Sequence, residues 1–163
     1  MDLYQEAEEL KKVPMFSRLE ASKLKLMAFT SEAVEFHDQD ILFHVNDPSD
    51  SAYVIMSGEV EIMVETDEGM VPVVTRGKNE IIGEMAVLTN LPRSATLRAK
   101  GPVRTLRISN DAFLKLLSNS PEVALDVMRQ LSLKLAESTN MMQNLSQEIE
   151  RLQNRLEEVG DSE

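Results

Sequence analysis

The first thirty residues repeat apolar positions at helical spacing. Residues 2 to 12, DLYQEAEELKK, form a short amphipathic run stopped before Pro14, and LEASKLKLMAF, Leu19 to Phe29, continues in the same period. Two helices are predicted there. From about Val34 the texture changes to short β-rich runs, AVEF, ILF, AYVIM, EVEIMV, VPVVT, TLRA and VRTLRI, punctuated by NDPSD, SG, TDEG and RGKN. Many short strands at close intervals predict a small antiparallel barrel or sandwich. Within EVEIMVE, Val60, Ile62 and Val64 alternate with Glu59, Glu61 and Met63, which puts the first three on a core face and the others largely toward water.

Helical spacing returns at SNDAFLKLLSNS, and Ser120-Pro121-Glu122 then supplies an N-cap, a first-turn proline and an acid suited to the helix dipole. Beyond it the seam Met128, Leu131, Leu135, Ser138, Met142, Leu145, Ile149, Leu152, Leu156 and Val159 advances by alternating steps of three and four. This is a heptad repeat, apolar at every a and d position except Ser138. A helix of about 35 to 38 residues spans roughly 55 Å, far more than a small β-domain needs for cover. Its seam needs another helix, and the chain holds no second one of that length. The expected partner is the same helix of a second copy, giving a parallel homodimer through residues 128–159. The predicted fold class is therefore α+β. Residues 1–119 form N-terminal helices and a small antiparallel β-roll or jelly-roll barrel, and residues 120–163 form a long C-terminal coiled-coil dimerisation helix. Gly160 to Glu163 are expected to fray.

Composition narrows the function classes. The 163 residues, 42% of them apolar, suffice for one compact domain and an appendage. With 28 acidic and 17 basic residues the net charge is −11, and no basic block stands out, so direct contact with DNA or RNA is not expected. The absence of cysteine excludes disulfides, thiolate metal sites and cysteine nucleophiles. No leader or long apolar run is visible, which points to a soluble, cytoplasmic chain without a membrane partner. His37 and His44 lack the converging ligands a metal would need, and no serine–histidine–acid set or phosphate loop is visible. A metal centre and an enzyme are not expected. The ten methionines suit adaptable packing and the helix seam.

Chemistry concentrates in GEMAVLTNLPRSAT, Gly83 to Thr96. An arginine on a short loop within a β-core needs an anion, because a buried unpaired guanidinium costs several kcal/mol or more, roughly. Glu84 could supply a structural ion pair. An external phosphate suits the surroundings as well: EMAVL makes a one-turn helix, Gly83 permits close backbone approach at its start, and Ser94 adds a hydroxyl beside Arg93. Glu84 would then accept hydroxyls, which suggests a sugar phosphate.

Gly-Glu-Met-Ala-Val-Leu followed at this distance by Pro-Arg-Ser-Ala-Thr resembles the phosphate-binding cassette of the cyclic nucleotide-binding domain family. That family includes protein kinase A regulatory subunits, cyclic nucleotide-gated channels and the bacterial catabolite activators. The flanks KVPMFSRL and DPSDSAYVIMSGEVEIMV are similar to its opening helices and third and fourth strands, and the likeness covers roughly residues 10 to 140. The resemblance implies that Arg93 pairs with an equatorial phosphate oxygen, helped by Ser94 and the Ala86 backbone N–H. It implies that Glu84 binds the ribose 2′-hydroxyl, that Gly83 and Met85 line the pocket through backbone, and that Val60 or a neighbouring apolar strand residue flanks the base. The long helix resembles the dimer helix of the activators, where Ser138 and Thr139 match hydroxyl residues that reach the adenine amino group and Lys134 matches an arginine near the pocket glutamate. Cyclic AMP is the implied ligand, with cyclic GMP open because the Ser94 hydroxyl follows the cassette arginine. The chain departs from the family at Gln39, Asn46 and Asn79, where turn glycines are usual, and in reaching GDSE without a helix-turn-helix, so DNA binding does not carry over. The downstream protein partner is not visible. The rival expectation is a structural dimerisation module with Arg93 and Glu84 paired and the coiled coil recruiting a partner.

Overall fold

The computed structural model describes residues 2 to 162. Asp2 caps α1 (Leu3–Lys11) in a capping box: its side chain accepts from Gln5 N, and the Gln5 side chain accepts from Asp2 N. A single 3₁₀ turn, Pro14–Phe16, leads to α2 (Ala21–Thr30). Six strands follow: β1 (Glu32–Phe36), β2 (Ile41–Phe43), β3 (Ser51–Thr66), β4 (Gly69–Arg76), β5 (Ile81–Ile82) and β6 (Thr96–Ser109). The short helix α3 (Glu84–Thr89) lies between β5 and β6, and α4 (Asn110–Asn119) follows, with the Ser109 hydroxyl accepting from Ala112 N. All pairings are antiparallel in the order β1-β6-β3-β4, with β2 also on β6 and β5 on β3.

The sheet is built from fewer, longer strands than the runs suggested. AYVIM and EVEIMV belong to one strand, β3, and TLRA and VRTLRI to another, β6. Gly58 and Gly101 do not end these strands; both take positive φ, 90° and 74°, and the β3–β6 register shifts around Ser57. A Cβ on Gly58 would stand 2.3 Å from the Pro102 carbonyl oxygen, so glycine lets the two bent strands cross.

Burial corrects the predicted face of β3. Val60 is fully buried as expected, but Met63 is buried and Val64 exposed. Between Ile62 and Met63 the partner on β4 jumps from Val74 to Pro72, leaving Val73 as an extra residue on β4, whereas β3 keeps its register with β6 from Glu59 to Met63; Val60 and Met63 therefore lie on opposite faces of β3, and both faces are covered there.

The first compact unit ends at Ala124 and the second begins at Leu125. In the first, Leu10, Val13, Phe16, Phe113 and Val123 are buried with the inner residues of the sheet. The second lies within α5 (Pro121–Gly160), a 40-residue helix whose first turn carries Pro121 and Glu122. Gly160 is still helical and Asp161 N bonds back to Glu157 O, so the helix outruns the expected frayed end; Glu163 lies outside the described residues. Along α5 the seam residues Met128, Leu135, Met142, Leu145, Ile149, Leu152, Leu156 and Val159 are 47% to 72% exposed in the single chain. No described helix is long and apolar enough to cross a membrane.

Candidate functional site

Three turns of one design lie at the ends of strands. In His37–Asp40 and His44–Asp47 the Asp carboxylate accepts from the backbone N–H three residues earlier, at 2.8 and 2.9 Å; in Gly77–Glu80 the Glu carboxylate does the same at 2.6 Å. The third residue of each, Gln39, Asn46 and Asn79, takes φ near +70°. These are the positions where glycine was expected. The turn at Asn46 also anchors the cassette loop, since Asn46 N donates to the Arg93 carbonyl at 2.8 Å and Arg93 N donates to the Asp47 carbonyl at 2.9 Å. The loop carrying the arginine is thereby pinned by backbone on both sides.

The Arg93 side chain turns inward and is 3% exposed. Nη1 donates to the Gly83 carbonyl at 2.9 Å and Nη2 to the Ser51 carbonyl at 2.7 Å. The guanidinium lies 4.0 Å from the centroid of Phe43, a favourable cation–π placement. The carboxylate brought to it is that of Asp50, whose Oδ1 is 3.9 Å from Nη2. Arg93 Nε is buried without a hydrogen-bond partner. Burial pushes the guanidinium pKa below its ordinary value, and the electrostatic influence of Tyr53 and Asp50 offsets this only in part. A charge this deeply buried, answered chiefly by neutral carbonyls, gains from an anion.

Gly83 closes the other side. It precedes α3 with φ +77°, in the left-handed region, and a Cβ there would stand 2.6 Å from Arg93 Nη1. Glycine is therefore needed twice, for conformation and for space. Glu84 is buried at the first position of α3, as is Ala86, whereas Met85 is half exposed. Ser94 is exposed beside the buried arginine. Thr96, next on the same segment, accepts from Val45 N at 3.0 Å and ties the cassette to the Asn46 turn.

The structure thus brings Gly83, Glu84, Ala86, Arg93 and Ser94 together at one corner of the sheet. Val60 lies in the closed core with Tyr53, Ile55, Ile82, Leu97, Ala99 and Val103. Leu42, Phe43, Ile62 and Ala95 pack against that cluster and stay partly exposed, so they, rather than Val60 itself, form its open wall. Lys134, Ser138 and Thr139 belong to the second unit; Thr139 Oγ1 donates to the Leu135 carbonyl at 2.9 Å within α5. Sequence reasoning missed Phe43, Asp50, Ser51 and the backbone link from the Asn46 turn to Arg93, because NDPSD reads as punctuation and ILF as an ordinary strand. A repeated Phe-His-x-x-Asp, at residues 36–40 and 43–47, was the available signal for the paired turns.

The family model for the cyclic nucleotide-binding domain matches residues 33–120. A cAMP-dependent protein kinase regulatory subunit of Emericella nidulans is 32% identical over 108 residues, 66% of this chain and 26% of that protein. A CRP-like cAMP-activated global transcriptional regulator of Mycobacterium tuberculosis is 24% identical over 139 residues, 85% of this chain and 62% of that one. The sensor domain of the transcriptional regulator DNR from Pseudomonas aeruginosa shares the fold, with a TM-score of 0.73 at 24% identity over 85% of this chain and 93% of that domain. The chain spans about a quarter of the length of the kinase regulatory subunit.

Proposed function

Because the chain belongs to the cyclic nucleotide-binding domain family, we propose that it is a cyclic nucleotide sensor whose first ligand is cyclic AMP and which signals as a coiled-coil homodimer. The observation that carries this reading is Arg93: buried, held by two backbone carbonyls, with one N–H unpartnered and its nearest ion-pair contact at 3.9 Å. That is a site built for an anion from outside. In this reading Arg93, Ser94 and the Ala86 N–H hold the cyclic phosphate, Glu84 accepts from the ribose 2′-hydroxyl, and Gly83 and Met85 line the site through backbone. The base lies against the wall of Ile62 and Leu42 above Val60. Cyclic AMP is favoured by the names of both curated relatives.

The exposed heptad seam supports the dimer, since a row of apolar residues on one helix loses water only against a partner. Lys134, Ser138 and Thr139 would then read the adenine amino group from the paired helices. A ligand touching both β-roll and dimer helix shifts the dimer by its differential affinity for the two arrangements. The acidic surface, with a net charge of −11, favours a cytoplasmic relay to a downstream protein over direct contact with DNA. A regulatory rather than a catalytic role accords with both relatives. The exposed Ser94 hydroxyl favours one second reading, selectivity for cyclic GMP through its guanine amino group.

Isothermal titration with cyclic AMP and cyclic GMP tests this reading. Heat and saturation with cyclic AMP at micromolar concentration are expected, and an Arg93→Lys variant, which keeps charge but loses the forked donors, should bind at least about tenfold more weakly. No heat and no thermal shift with either nucleotide at millimolar concentration would leave the ligand-free dimerisation module as the better reading.

A further inference from the structure

Asp50 stands between two arginines. Its Oδ2 accepts from Arg107 Nη2 at 2.7 Å, and its Oδ1 accepts from the Ser51 hydroxyl at 2.8 Å. That hydroxyl accepts in turn from Arg107 Nε at 3.1 Å. One guanidinium therefore holds both carboxylate oxygens, the first directly and the second through Ser51. Arg107 is itself fixed at its remaining arm: Nη1 donates to Glu32 Oε2 at 3.1 Å, across the β1–β6 pairing in which these two residues are directly opposed.

Arg93 meets the same two residues from the buried side. It takes the Ser51 carbonyl at 2.7 Å and stays 3.9 Å from Asp50, outside hydrogen-bonding distance. Ser51 thus presents its carbonyl to one arginine and its hydroxyl to the other. Asp50, two-thirds exposed, has room to move, and at these distances a freed carboxylate is drawn onto the more buried cation.

We propose that Arg107 is a positioning residue for the anion site: by fixing Asp50 it keeps a carboxylate of the protein from neutralising Arg93, and so leaves that guanidinium for the ligand's phosphate. This rests on the reading of Arg93 as the phosphate ligand and adds a residue on β6, outside the cassette, that sets its affinity. The hydrogen bonds of Arg107 go to Ser51, Glu32 and Asp50. Arg107 also repels the Arg93 guanidinium directly, and it is the dependence on Asp50 that separates a positioning role from a merely structural ion pair.

A double-mutant cycle on the full chain, read by titration with cyclic AMP, tests the dependence. Arg107→Met should weaken binding by about fivefold, a coupling of ordinary size. Asp50→Asn should tighten it by about twofold, and Arg107→Met placed on Asp50→Asn should cost no more than about a further twofold. Thermal melts establish that each variant is folded. If Arg107→Met is not, Arg107→Lys, which retains a single contact and should lose about twofold to threefold, carries the same cycle. Unchanged affinity in Arg107→Met, or an equal loss with and without Asp50→Asn, overturns the inference while leaving the sensor reading intact. A wild-type chain that binds no cyclic nucleotide overturns both.

Discussion

Gly83 and Asp50 show how single residues set the site. Gly83 takes φ +77° and leaves no room for a methyl group beside Arg93 Nη1. Gly83→Ala is expected to lower stability by about 1–3 kcal/mol and to weaken cyclic AMP binding with it, as melting and titration would read together. Burial raises the Asp50 carboxyl, but the Ser51 hydroxyl and the Arg107 and Arg93 guanidiniums outweigh it and hold the pKa below its ordinary value. A carboxylate so depressed contributes stability that is complete at neutral pH and is lost as pH falls below about 4 through its lowered value. The stability difference between wild type and Asp50→Asn should accordingly be present at pH 7 and vanish in acid, as denaturant melts at a series of pH values would show. The cassette glycine, acid and arginine were legible in the sequence because their types and spacing are local. Asp50 and Phe43 were not, since nothing along the chain says that residues 40 or more positions away will stand beside Arg93.

At the scale of elements, turns and bulges carry the information that strand patterns lack. Gln39 occupies the left-handed region with a long side chain, and its N–H still donates to the Ala99 carbonyl at 2.9 Å. Gln39→Gly should therefore raise stability by roughly 0.5–1 kcal/mol, the left-handed penalty of Gln less the entropy cost of glycine, measured as a shift in the denaturation midpoint. Gly58 is the opposite case. Its φ of 90° and the 2.3 Å clash with the Pro102 carbonyl mean that Gly58→Ala should destabilise by at least about 2 kcal/mol, since the β3–β6 crossing itself must move. Helices α1, α2, α4 and α5 formed where the periodicity placed them, although Leu26 and Phe29 of α2 stay exposed. The strands followed their pattern less: alternation predicted Val60 correctly and failed at Met63 and Val64, because which face of a strand is covered depends on what packs against it and is invisible in one strand.

At the scale of the whole molecule the exposed apolar seam of α5 calls for a partner. If the seam pairs in parallel register, sedimentation should give a dimer at micromolar concentration, and Ser138→Leu should tighten it by filling the one polar position of the stripe. In the proposed sensor the same change should weaken cyclic AMP binding several-fold, since it removes a hydroxyl offered to the base. A tighter dimer with unaltered nucleotide affinity would assign Ser138 to register alone. By itself the sequence determined the class of the protein: an α+β chain with helices at both ends, a Gly-Glu and Pro-Arg motif that marks its family, and a heptad seam. Those features depend on residue type at fixed local spacing, where sterics, periodicity and backbone preference act within a few residues. Tertiary structure alone decided what surrounds Arg93: the carbonyls of Gly83 and Ser51, the ring of Phe43, and Asp50, itself hydrogen-bonded to Arg107. Charges separated by tens of residues come within a few ångströms only when the strands bearing them pair, and at that range distance and burial, not sequence spacing, set the electrostatics.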